Sequence, residues 1–162
     1  MKYDIQVSYY LCYDGEKRED YVMNVHNFWK AVLQQDEQEI RKYFHEDAYV
    51  NWHCTNEHFL VDEFIRANCE YPGDWGGEVE RVECVGELTI TVTHVYSVDR
   101  ELSFHVTSFI KIVDDKISAM DEYWAEDGSA PQWRLDKHIG GAIYKCAKEP
   151  LTQPAERGYR NE

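Results

Sequence analysis

From Phe104 to Trp124 the chain alternates with a period of two. Phe104, Val106, Ser108 and Ile110 interleave with His105, Thr107, Phe109 and Lys111. Only an extended strand turns that spacing into two faces. Asp114-Asp115 interrupts the run, and residues 117–124 resume it with Met120, Glu122 and Trp124 on one side and Ala119, Asp121 and Tyr123 on the other. Two similar runs precede it, so strands are expected at about 78–85, 88–97, 102–113 and 116–124. Such a block cannot bury one face by itself and needs a second layer from the first half of the chain.

That half is helical. Val22, Val25, Phe28, Trp29, Val32 and Leu33 fall three and four apart, a single apolar stripe. Asp36 is placed to cap a second helix, with Glu39 as its capping-box partner and Ile40, Tyr43 and Phe44 on the inner side. A short strand over 49–54 ends at Cys54-Thr55-Asn56. A third helix containing Val61, Phe64 and Ile65 closes at Tyr71-Pro72-Gly73. Helices first and strands last predict an α+β domain. Ahead of it, Tyr3, Ile5, Val7, Tyr9 and Leu11 alternate as an additional strand. The expected organisation is a strand extension at 1–20, one domain over 21–147, and a tail at 148–162 without periodicity.

Lys116-Ile117, then Met120, Tyr123-Trp124 and an acidic exit, resemble the last strand of ketosteroid isomerases, members of the nuclear transport factor 2-like superfamily. The resemblance spans residues 22–134. It implies a cone: a curved, mostly antiparallel sheet around a pocket closed by three N-terminal helices, with the outer face commonly forming a homodimer. It also implies that Phe28, Trp52, Ser108, Met120, Glu122 and Trp124 face the pocket. The tyrosine and two acids that ketosteroid isomerases use would fall on Phe28, Ser108 and Trp52, which cannot supply phenol or carboxylate chemistry. Steroid isomerisation by that mechanism is therefore excluded. Fold alone does not select among the isomerases, dehydratases, polyketide cyclases and binding proteins of the superfamily.

A net charge of −14 without a Lys/Arg cluster excludes nucleic acid and anionic membrane as partners. Five widely spaced cysteines with no CxxC pair read as reduced thiols. With neither a leader-like segment nor a membrane-length apolar run, a cytoplasmic protein is expected. No glycine-rich phosphate loop or nucleophile elbow occurs, so no cofactor is expected.

Glu122 is the candidate catalytic acid or base, because a carboxylate beside Met120, Trp52 and Trp124 is desolvated. His53 is the second catalytic candidate, at the pocket rim. The cluster His53, Cys54, Glu57 and His58 has donors suited to zinc, but not the spacing of a closed structural site, and no metal is assigned to it. Trp75, Trp124, Trp133, Tyr71 and Tyr123 suggest an aromatic box for a flat ligand. His94 and His105, with Val92, Tyr96 and Phe109, are read as an apolar outer face available to a second copy. The expected function is a cofactor-independent cyclase, dehydratase or isomerase acting on a small hydrophobic carbonyl compound, or a non-catalytic binding protein with the same pocket.

Overall fold

The computed structural model describes residues 23–143. They form α1 (Val25–Leu33), α2 (Glu37–Lys42), β1 (Phe44–Trp52), β2 (Glu57–Leu60), α3 (Val61–Cys69), β3 (Trp75–Val85), β4 (Leu88–Ser97), β5 (Ser103–Val113), β6 (Lys116–Glu126) and α4 (Gln132–Asp136). The expected N-terminal strand and the tail lie outside the described residues. Two compact units divide between Asp127 and Gly128. The second contains α4, where Gln132 bonds Asp136 at 2.7 Å. No helix among the described residues is long and apolar enough to cross a membrane.

The six strands pair in the order β2-β1-β6-β5-β4-β3. Every pairing is antiparallel except β1 with β6. That parallel pair joins the helical half of the chain to its last strand. Asp114 and Asp115, at φ 48° and 60°, form the two-residue turn between β5 and β6. Both residues have the positive φ that matches the right-handed twist of a hairpin. The β4–β5 hairpin sets Thr91 opposite Ser108, Thr93 opposite Val106 and His94 opposite His105, the pairing expected from its turn. Register shifts interrupt β1–β6, β3–β4 and β5–β6, and such bulges bend the strands that contain them.

The core lies between the helices and one face of the sheet. Phe28, Trp29, Ile40, Phe44, Phe64 and Ile65 pack against Val50, Val106, Ile110, Ile117 and Met120. Asn24 caps α1 by accepting from the His26 and Asn27 amides. Asp36 caps α2 through the Glu39 amide at 3.0 Å. Only half of the expected capping box forms there, because the Glu39 carboxylate reaches Lys42 instead. The short strand expected over 49–54 is longer and earlier, and β2 was not expected. Residues 53–56 turn the chain, with Asn56 at φ 59°, so that Glu57–Leu60 returns along β1.

At Gly77 on β3 the neighbouring strand and α1 leave no room for a side chain. A Cβ there would sit 2.5 Å from the His94 carbonyl oxygen and 3.1 Å from the Leu33 side chain of α1. Gly77→Ala is expected to lower stability by about 1–3 kcal/mol, the cost of overpacking a fixed site. Urea denaturation checks this, and an unchanged midpoint would refute it.

Cys54 and Cys69 are free thiols. Cys12 and Cys146 lie outside the described residues.

Candidate functional site

Glu122 occupies the middle of the inner sheet face, and strand register decides its neighbours. Trp52 is its partner across the parallel β1–β6 pair, Ser108 is its partner across β5–β6, and Trp124 lies two residues along the same strand. All three side chains therefore stand on the same side of the pleat. The Trp52 indole donates to Glu122 Oε2 at 2.7 Å and the Trp124 indole to the same oxygen at 3.1 Å, while the Ser108 hydroxyl donates to Oε1 at 2.8 Å. Glu122 is 1% exposed. Burial raises its pKa above the ordinary glutamate value, against the opposing pull of the bonds from Ser108, Trp124 and Trp52. Indoles are donors only, so both commit Oε2 to accepting. A proton on this carboxyl group must sit on Oε1, with the Ser108 hydroxyl turning from donor to acceptor.

Above this group lies a cavity of about 290 Å³, lined from α1 by Trp29, Val32 and Leu33, from α3 by Ala67 and Asn68, and from the sheet by Trp52, Trp75, Val95, Phe104 and Trp124. Cys54, Thr55 and Tyr71 complete the rim. The lining rings form a chain of contacts. Tyr71 meets Trp75 at 5.2 Å between centroids, Trp75 meets Phe104 at 6.3 Å, Phe104 meets Trp124 at 6.3 Å, and Trp124 meets Trp52 at 6.1 Å. Most are edge-to-face, the arrangement favoured by ring quadrupoles.

The cavity is apolar because the wall absorbs the indole N–H groups. Trp29 donates to Thr91 at 3.3 Å, and Trp52 and Trp124 donate to Glu122, so carbon faces the empty space. Trp75 Nε1 is the exception: with Thr93 Oγ1 it is a buried side-chain atom without a hydrogen-bond partner among the described residues.

Of the residues expected to bind ligand, Trp52 and Trp124 line this cavity. Phe28, Ser108 and Met120 do not. Phe28 is fully buried with its ring against Trp29, Tyr43 and Phe44, and Met120 is fully buried where β6 pairs with β1 and β5. Ser108 reaches the site only through the Glu122 carboxylate.

His53 does not meet the Glu122 side chain. Its amide bonds the Glu122 carbonyl at 3.0 Å, but its ring is stacked on Tyr123 at 4.5 Å and bonded to Asp121 at 2.7 Å. Asp121 and Tyr123 are the odd-numbered positions of β6 and face away from Glu122. Burial acts to raise the Asp121 pKa, but the bonds from Asn51 and His53 outweigh it and hold the carboxyl below its ordinary value. His58 bonds Asn51 at 2.8 Å and Glu57 accepts from Thr55, so the cluster expected at 53–58 is divided among separate partners. Trp75, Trp124 and Tyr71 of the expected aromatic box line the cavity, while Tyr123 stands on the opposite sheet face.

Sequence reasoning placed Glu122 among aromatic side chains and Trp75 in an aromatic box, but missed Trp29 and Phe104 as the rest of the wall. Trp29 lies on the apolar stripe of α1, which signals burial but not a cavity. The outer face also differs from expectation, because His94 and His105 are bound into a polar cluster with Ser103 and Asp127.

No protein-family model and no curated protein matches the chain. Solved structures do. A candidate ketosteroid isomerase from Kribbella flavida superposes with a TM-score of 0.62 at 20% identity, covering 75% of this chain and 87% of that one. A nuclear transport factor 2-like protein of unknown function from Burkholderia xenovorans gives 0.59 at 21% identity, over 69% and 88% of the two chains. A candidate SnoaL-like polyketide cyclase from Shewanella denitrificans gives 0.52 at 12% identity, over 62% and 87%. With its sheet order and helical layer, the chain has the fold of the nuclear transport factor 2-like superfamily.

Proposed function

We propose that the chain is a binding protein for a small, flat, predominantly apolar molecule held among the indole rings of the cavity. One observation supports this above the others: among the described residues no Asp, Glu, His or Lys lines the cavity, and Glu122, the buried acid beside it, is engaged by three bonds from its own chain. A group that is to move a proton must reach its substrate within hydrogen-bond distance or through one water, and Trp52 and Trp124 stand between Glu122 and the space. Ring faces at several angles suit an aromatic or fused-ring ligand.

The proposal includes a cone-shaped enclosure closed by the first three helices, a cytoplasmic location, and a homodimer. The dimer is supported by β4, which turns Leu88, Ile90 and Val92 away from its buried face. Light scattering in solution tests it, and a monomer would overturn that part.

Titration with the uncharged fluorophore N-phenyl-1-naphthylamine tests the cavity. Indole emission should fall as the probe binds with a dissociation constant on the order of micromolar, typical for a ligand of that size. Ala67→Trp, which fills the space from α3, should weaken binding at least about tenfold, or ~1.4 kcal/mol. Equal affinity in that variant would sink the assignment of the cavity.

A second reading, cofactor-independent proton transfer by Glu122 on a carbonyl compound, is favoured by its raised pKa and by the isomerase and cyclase descriptions of the fold relatives. It requires an indole to swing aside. Glu122→Gln separates the two: turnover would be lost under the second reading, whereas probe binding should persist under the first.

A further inference from the structure

On the opposite face of the sheet from the cavity, three adjacent strands and the end of a fourth bring four metal-type side chains together. His94 of β4 and His105 of β5 are directly paired. Their rings are stacked, 4.7 Å between centroids with 7° between planes, and one turns about its side-chain bond for both to reach a common ion. Glu80 belongs to β3 at the register shift between Val79 and Arg81. A bulge residue is re-aimed relative to a regular strand, and here the carboxylate comes to 3.4 Å from His105 Nε2. One ligand atom each from Glu80, His94 and His105 lies within 4.8 Å of the others. Asp127, just past β6, accepts from His105 Nδ1 at 2.5 Å.

The hydrogen bonds set the tautomers. Asp127 Oδ1 is an acceptor, so neutral His105 holds its proton on Nδ1, and Nε2, toward Glu80, is the nitrogen that a cation would take. The Ser103 hydroxyl gives its one hydrogen to Asp127 Oδ2, so its oxygen accepts from His94 Nε2 at 2.9 Å. That leaves Nδ1 of neutral His94 as the unprotonated nitrogen. Each imidazole is thus tethered through one nitrogen to Asp127, directly or through Ser103, and His105 turns its other nitrogen to Glu80. A carboxylate holding a histidine from behind is the arrangement that orients metal-ligating imidazoles.

We propose that Glu80, His94 and His105 form a binding site for a borderline divalent cation of the zinc type, with Asp127 as the positioning residue behind His105. Two imidazoles and a carboxylate are a donor set that zinc takes, leaving a fourth position for water. Around a tetrahedral zinc with bonds of about 2.0–2.1 Å, neighbouring ligand atoms are roughly 3.3 Å apart, close to the 3.4 Å between Glu80 and His105. Hard cations such as magnesium prefer oxygen sets and are disfavoured here. All four side chains are only partly buried, so an ion can enter from solvent. The site is independent of the cavity and of the function proposed for it.

The full-length protein, stripped with a chelator, is titrated with cobalt(II) followed by its visible d–d bands, then with zinc in competition. One ion per chain is expected, with the band intensity of a low-coordinate site, and zinc should displace the cobalt. Glu80→Gln and His105→Ala should each weaken binding at least about tenfold, and Asp127→Asn by about 10–100-fold with the cobalt spectrum retained. Zinc should raise the unfolding midpoint of the wild type more than that of Glu80→Gln. Glu80 is exposed, so this variant keeps the test valid if His105→Ala fails to fold. Absence of cobalt bands, or binding undiminished in Glu80→Gln and His105→Ala, would overturn the proposal.

Discussion

Glu122→Ala is expected to destabilise the protein by on the order of 2–4 kcal/mol, because it leaves the Trp52 and Trp124 indoles without an acceptor where Glu122 supplied one. Glu122→Gln should fold. Its amide oxygen can take both indoles and its NH₂ can face Ser108, so every bond has a counterpart. The two forms should differ in pH dependence. The folded pKa of Glu122 lies above its unfolded value, so the native state binds more protons than the unfolded state between those two values. Over that window, which begins at the ordinary glutamate range near ~4.3, wild-type stability falls as pH rises. Glu122→Gln lacks this contribution. The stability difference between the two proteins should therefore shift in favour of the glutamine variant with increasing pH and become constant above the folded pKa. Urea denaturation at a series of pH values measures it. Parallel curves would mean that burial does not shift this carboxyl group.

Phe28→Ala is expected to cost about 3–5 kcal/mol, the usual penalty for removing a fully buried ring. The ring is 0% exposed and makes edge contacts with Trp29, Tyr43 and Phe44 at 5.9, 5.6 and 5.8 Å. Affinity for N-phenyl-1-naphthylamine should be nearly unchanged well below the unfolding transition, because Phe28 does not line the cavity. Trp124→Ala should do the reverse in proportion, losing the probe at least about tenfold. If Phe28→Ala and Trp124→Ala weakened the probe equally, the boundary drawn between core and cavity would be wrong.

The outer-face histidines show how a correct pairing can still mislead about chemistry. His94 opposite His105 follows from the turn at Asp99-Arg100, and the apolar residues near them suggested a hydrophobic face. Asp127 and Glu80 lie 22 and 25 residues from His105 in sequence, yet both reach its ring. Neither contact is periodic or local, so no strand pattern announces it.

What the sequence determined by itself was set by local rules. Alternation defined β4, β5 and β6 and their faces, turn residues set the β4–β5 register, and three-and-four spacing marked the buried stripe of α1. Those signals depend on backbone period and turn geometry, which neighbouring residues specify. Tertiary structure decided the rest. The parallel docking of β1 on β6 brought Trp52 to Glu122 and turned His53 to the other side, and a one-residue difference in that register would have exchanged them. Closure of α1 and α3 over the sheet decided which aromatics face a cavity and which are core. Parallel pairing and helix docking join segments tens of residues apart, and their geometry is fixed by packing that only the assembled fold contains.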